Sequence, residues 1–88
     1  RLGGEEFVII MPDTDLARAY QVGERLRACV AADPFQVRPD LKIRVTASVG
    51  IATLERTDDT PETVFKRADN ALYAAKRRGR NRVSADAA

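Results

Sequence analysis

The chain has 88 residues, 44% of them hydrophobic and 32% charged, with a net charge of +2. That bounds it to one small domain, able to bury only about 60–65% of its unfolded surface. No apolar run is long enough for a transmembrane helix, and no signal peptide is visible. Its one cysteine, Cys29, has no internal disulfide partner and reads as a reduced thiol in the core of a cytoplasmic protein. With no His and one Cys, the usual zinc sites are excluded, so any metal must bind oxygen.

The chain opens on Arg1-Leu2-Gly3-Gly4 and reaches an apolar run within a few residues, which reads as the interior of a domain. Phe7-Val8-Ile9-Ile10-Met11 is continuous, apolar and rich in β-branched residues, so it predicts a strand buried on both faces. Pro12-Asp13-Thr14-Asp15 stops it and offers helix N-caps. Leu16, Ala19, Tyr20, Gly23, Leu26 and Val30 recur at helical spacing, predicting an amphipathic helix that ends near Ala32, before Asp33-Pro34. Phe35-Gln36-Val37 reads as a short strand and Arg38-Pro39-Asp40 as a turn. From Leu41 to Leu54 apolar odd positions alternate with even positions such as Lys42, Arg44, Thr46 and Ser48, predicting one long half-buried strand. Gly50 inside it marks a bulge or a close backbone approach.

Glu55 to Asp59 is a polar loop. Asp59 or Thr60 caps a second helix, with Pro61 in its first turn. Val64, Phe65, Ala68, Leu72 and Ala75 form its apolar stripe, and Gly79 fits the position just past its end. Tyr73 reads as packing with a hydrogen-bonded hydroxyl, Met11 as core, and Arg82-Val83-Ser84 as a last short strand before a frayed tail. Strands mixed with helices, with an antiparallel pair in the middle, give the α+β class with helices flanking a sheet.

Charge is uneven. The segment from Lys66 to Arg82 has a local balance of +6, which against a total of +2 leaves the rest at −4. The bland interpretation is a solvated face; the functional one is an anion site. A helix C-terminus carries partial negative charge, so an anion there would have to be held by Lys and Arg side chains. At the other extreme of the chain, Gly3-Gly4-Glu5-Glu6-Phe7 sets two carboxylates at the start of a strand. The glycines permit a tight hairpin turn. Successive strand residues face opposite ways, so Glu5 and Glu6 do not serve one point in space. Acidic groups at a strand end suit Mg²⁺ bridged to phosphates; an exposed acidic hairpin tip is the bland interpretation.

Three blocks in order decide between these. Gly3-Gly4-Glu5-Glu6-Phe7 resembles the signature of the GGDEF family, the diguanylate cyclases, in its Glu-containing form. Thr46-Ala47-Ser48-Val49-Gly50-Ile51-Ala52 is similar to the family's T-x-S-x-G-I-A strand, and Ala68-Asp69-Asn70-Ala71-Leu72-Tyr73-Ala74-Ala75-Lys76 followed by Gly79-Arg80-Asn81 to its C-terminal block. The resemblance implies a fold like the palm of adenylyl cyclases and polymerases, with an antiparallel central sheet and flanking helices. It implies condensation of two GTP molecules to cyclic di-GMP and two pyrophosphates, between two domains facing each other as a homodimer, with Mg²⁺ or Mn²⁺ on the phosphates.

By position, Glu5 matches the family's essential acidic residue, which ligates metal and helps deprotonate the attacking 3′-hydroxyl. Gly3 and Gly4 match the turn against which the nucleotide lies. Glu6 matches the fourth motif position, as a metal ligand or a contact to one. Lys76 and Arg80 match the two basic residues on the GTP phosphates, and Arg25 matches a secondary cyclic di-GMP inhibition contact. The family domain is roughly twice as long, so residues 1–88 are expected to be its C-terminal half. On that view the other metal-binding Asp, the guanine readers, the main inhibition motif, the strand pairing with Phe7 to Met11 and a regulatory domain precede Arg1. The isolated piece is then expected to be inactive, and its first strand to be an exposed edge. The alternative is a non-enzymatic GGDEF domain sensing GTP or cyclic di-GMP. A basic nucleic-acid module is disfavoured, because three Phe, two Tyr and no Trp leave few stacking partners.

Overall fold

The elements follow from local chemistry before any packing. The computed structural model describes residues 4–12, 14–32, 34–54 and 59–85. Gly3, Asp33, most of the polar loop (55–58) and the end of the tail (86–88) therefore lie outside the described residues. In chain order the elements are β1 (Gly4–Pro12), α1 (Leu16–Ala32), β2 (Phe35–Arg38), β3 (Leu41–Ile43), β4 (Thr46–Leu54), α2 (Pro61–Arg77) and β5 (Val83–Ala85). Asp15 starts α1 by accepting from the Arg18 amide at 2.8 Å. Thr60 and Thr63 start α2 reciprocally: each side-chain oxygen accepts from the other's amide, at 3.2 and 2.9 Å, with Pro61 at the first helical position. Asp59 does not cap α2. Its carboxylate takes two hydrogen bonds from Arg67, at 2.7 and 2.9 Å, and Arg67 also donates to the Thr53 carbonyl at 2.8 Å. This removes Arg67 from the basic cluster counted in the sequence and makes it a brace between α2 and the end of β4.

The α+β class with flanking helices is what forms, but the pairing differs from the antiparallel sheet expected. The three-stranded sheet has the order β1-β4-β5 and both of its pairings are parallel. The antiparallel pair is β2–β3, a separate ribbon. The reason is connectivity. α1 and the ribbon lie between β1 and β4, and α2 between β4 and β5, so each strand re-enters the sheet in the same direction. The long strand expected over Leu41 to Leu54 is in fact two, interrupted at Arg44 and Val45, where the chain passes from the ribbon to the sheet.

β4 is the centre of the molecule. It is buried on both faces from Ala47 to Thr53, where one wet face was expected. Ala47, Val49 and Ile51 pack with Ala19 of α1 and with Val83. On the opposite face Ala52 packs with Val64 and Ala68 of α2, and with Val8. Full burial of each large aliphatic side chain here contributes about 1.5–3 kcal/mol. β1 is less enclosed than expected: Phe7 is 36% and Ile10 40% exposed. β1 is an edge of the sheet, while both helices centre on β4. Cys29 is exposed rather than core, and Tyr73 is 59% exposed, with Arg77 over its ring at 5.7 Å.

Gly50 resolves in favour of close approach. A Cβ there would lie 2.3 Å from both the Ala68 carbonyl oxygen and the Leu72 amide nitrogen. α2 backbone therefore rests directly on β4 backbone. At Gly23 of α1 a Cβ would instead meet Cδ1 of Ile51 at 2.6 Å, the far end of a side chain. Gly50→Ala is expected to destabilise the fold by about 3 kcal/mol or more, since helix backbone must move. Gly23→Ala is expected to change stability by less than about 1 kcal/mol, because helix propensity offsets the repacking. Urea unfolding midpoints of the two variants check the contrast.

Candidate functional site at the start of β1

Parallel register and helix spacing bring the two ends of the sequence together. Glu5 lies beside Ala47 and Glu6 beside Ser48, so Glu5 is on the α1 side of the sheet and Glu6 on the α2 side. Lys76 follows Leu72 by one turn on the face of α2 that rests on β4. It therefore emerges over the first residues of β1, where its Nζ is 3.2 Å from Oε1 of Glu6. Arg80 arrives at the same carboxylate, with Nη1 3.7 Å from Oε2. The Glu6 carboxylate is thus an anion held by side chains beside the negative end of a helix, as the dipole argument requires. These pairs are partly exposed and contribute at most about 1 kcal/mol each, so their arrangement is not a requirement of folding.

Arg80 is aimed by an unusual turn. α2 ends in a Schellman motif: the Arg80 amide donates to the Ala75 carbonyl at 3.0 Å and the Gly79 amide to the Lys76 carbonyl at 3.3 Å. Gly79 supplies the left-handed residue with φ 120°, which glycine adopts without penalty. The chain then stays left-handed through Arg80 (φ 66°) and Asn81 (φ 47°). Each such non-glycine residue costs about 1 kcal/mol or more and persists only where its surroundings hold it. Three contacts do so. The Asn81 amide donates to Oγ of Ser48 at 3.3 Å, Arg27 Nη1 of α1 donates to Oδ1 of Asn81 at 2.8 Å, and Arg82 Nε donates to the Arg80 carbonyl at 3.1 Å. Arg27 is itself gripped at Nε and Nη2 by the Glu24 carboxylate.

Of the sequence-predicted residues, the structure brings Glu6, Lys76 and Arg80 together. Gly4 and Glu5 are adjacent on the same strand, with Glu5 exposed. Arg25 is exposed on α1, and no hydrogen bond or ion pair joins it to that cluster among the described residues. No three His, Cys, Asp or Glu side chains converge as a metal site among the described residues. The oxygen donors present are Glu5 and Glu6, one on each side of β1. Mg²⁺ is held by one or two carboxylates together with substrate phosphates, and an exposed Glu5 fits that partial role. The residues that sequence reasoning missed are Arg27 and Ser48, the partners of Asn81. The one available signal was Asn81 itself, since Asn after Gly-Arg is a residue suited to positive φ.

The Arg27 hydrogen bonds hold the Glu24 carboxyl below its usual pKa of 4.5, against a smaller opposing effect of burial. The same pairing raises the Arg27 guanidinium. A lowered carboxylate pKa stabilises the fold above the unfolded value, and that contribution is lost as pH falls through the folded value. Glu24→Gln is expected to lower Tm at pH 7, with the difference from the parent shrinking as pH falls below about 4. Thermal unfolding across that range checks it.

Comparison with known proteins agrees with the motifs and the architecture. The family profile described as "Diguanylate cyclase, GGDEF domain" matches residues 1–82. The chain is 48% identical over 89 residues to the response regulator PleD of Caulobacter vibrioides, covering all of this chain and 20% of PleD. It is 48% identical to the diguanylate cyclase DgcP of Pseudomonas aeruginosa, over 94% of this chain and 12% of DgcP. To DgcM of Escherichia coli it is 45% identical over 97% of this chain and 20% of that protein. The chain thus spans a fifth or less of these relatives' length. The crystal structure of the GGDEF domain of DgcB from Caulobacter crescentus, in complex with c-di-GMP, superposes with a TM-score of 0.74 at 29% identity, covering 85% of this chain and 43% of that one. On the profile match, supported by the shared fold, this chain belongs to the GGDEF domain family.

Proposed function

We propose that the chain is the C-terminal part of a GGDEF domain that condenses two GTP molecules into cyclic di-GMP and two pyrophosphates, one GTP on each of two facing domains. The observation that carries this is the meeting of Lys76 and Arg80 at the start of β1, on a strand end whose other side carries the exposed Glu5. In this reading the two cations bind the triphosphate of one GTP. Charge-assisted contacts of this kind neutralise the phosphates and orient the scissile bond to pyrophosphate. Gly3 and Gly4 let the nucleotide approach the backbone. Glu5 accepts the proton of the 3′-hydroxyl whose oxygen attacks the α-phosphorus of the other GTP and displaces pyrophosphate, and it would hold a Mg²⁺ or Mn²⁺ through one oxygen. Such a bound metal would offset charge developing on the phosphates. Glu6, already paired with Lys76 and Arg80, keeps the cations gathered rather than binding metal itself. Arg25 belongs to a separate cyclic di-GMP contact on α1.

A single carboxylate binds Mg²⁺ weakly, so residues 1–88 alone are expected to make no product, and the activity to need the rest of the domain. The test is cyclic di-GMP formation from GTP and Mg²⁺ by the complete domain. The parent is expected to be active, Glu5→Gln inactive with GTP binding retained, and Lys76→Ala to raise KM for GTP by about tenfold. GTP binding without turnover by the parent would overturn the enzymatic reading and favour a sensor.

A further inference from the structure

Arg80 reaches the start of β1 from a turn in which two non-glycine residues in a row are left-handed, and that turn is held by contacts from outside it. The Schellman bonds fix the backbone up to the Arg80 amide. Beyond it, Asn81 is the anchored residue: its amide is tied to Ser48 of β4 and its side chain to Arg27 of α1, 54 residues away in sequence. Glu24 takes two of the Arg27 donors and leaves Nη1 for Asn81, so the guanidinium fork is fully directed. Arg82 then closes the turn on the Arg80 carbonyl.

We infer that Arg27 and Asn81 are positioning residues for Arg80: the chain Glu24–Arg27–Asn81 holds the left-handed turn that aims the Arg80 guanidinium at the triphosphate. The inference rests on Arg80 being a phosphate ligand, as proposed above. Neither residue touches the nucleotide in this account. Arg27 is bonded at both sides of its fork, to Glu24 and to Asn81, and Asn81 spends its side-chain oxygen on Arg27. α1 thereby acquires a part in substrate binding that its place on the far side of the sheet from Lys76 would not suggest.

The test is GTP affinity measured by calorimetry on the complete domain. Arg80→Ala reports on the site, and Arg27→Ala and Asn81→Ala on the positioning. Each of the latter two is expected to weaken GTP binding about tenfold. Asn81→Asp, which keeps the acceptor and tolerates positive φ, is expected to restore affinity close to the parent. In the Arg80→Ala background, Arg27→Ala is expected to have no further effect, since only a residue acting through Arg80 is silenced by its removal. Where Arg27→Ala unfolds, Asn81→Ala carries the test, because it leaves Arg27 paired with Glu24 and removes the side-chain acceptor at a position that still needs support for positive φ. If Arg80→Ala leaves GTP affinity unchanged, the phosphate reading falls and the inference with it. If Arg80→Ala weakens binding but Arg27→Ala and Asn81→Ala do not, the inference alone is overturned. The same holds if Arg27→Ala is equally costly with and without Arg80.

Discussion

At Gly50 the backbones of β4 and α2 touch, with no room between them for a single carbon atom. The other features of the site depend on that seat. The height of α2 above the sheet decides where its sheet-facing stripe ends, and that stripe runs through Ala68 and Leu72 to Lys76. A residue larger than glycine at position 50 would lift or tilt the helix and carry Lys76 away from Glu6. The small residues Ser48 and Ala52 on the same face, and Ala68 and Ala75 on the helix, serve the same close fit. Asp59 and Arg67 pin the other end of α2, so the helix is fixed at its start, its middle and its last turn.

The last turn of α2 then poses an electrostatic problem. A helix C-terminus repels anions, so an anion beside α2 needs side-chain cations from within or just past that turn. Lys76 comes from inside the helix and Arg80 from the reversed chain that follows it. The Schellman motif turns the chain, and the left-handed pair Arg80-Asn81 keeps it from running away from β1. In this way α1, which packs on the far side of the sheet, and Ser48, which lies on the near side, both act on a single arginine.

Much of this was legible from residues alone, where the signal was local. Both helices and the Gly79 end follow from spacing and cap chemistry, which narrow the start of α2 to Asp59 or Thr60 and Gly50 to a bulge or a close approach. The opposite facing of Glu5 and Glu6 follows from strand alternation. What failed was non-local. Period-two alternation is the same in parallel and antiparallel pairs, so the direction of β1 beside β4 could not be read from it. The alternation also ran unbroken through Arg44 and Val45, hiding the passage from ribbon to sheet. The even positions change there from Lys42 and Arg44 to Thr46, Ser48, Gly50 and Ala52, from long and charged to small. That change marks burial under a helix, and it coincides with the passage from ribbon to sheet. Arg67 was counted with its basic neighbours because nothing local distinguishes a cation bound for Asp59 from one bound for solvent. Arg27 was invisible for the same reason, its partner Asn81 lying 54 residues away.

The central claim is that α2 and its turn deliver two cations to one anion-binding point at the start of β1. The most direct measurement is a side-chain NMR titration of the complete domain with pyrophosphate, following lysine and arginine resonances assigned by substitution. The account predicts saturable shifts at Lys76 and Arg80, with the exposed neighbours Arg77 and Arg78 little changed. Shifts at Arg77 and Arg78 with Lys76 and Arg80 unmoved would contradict it.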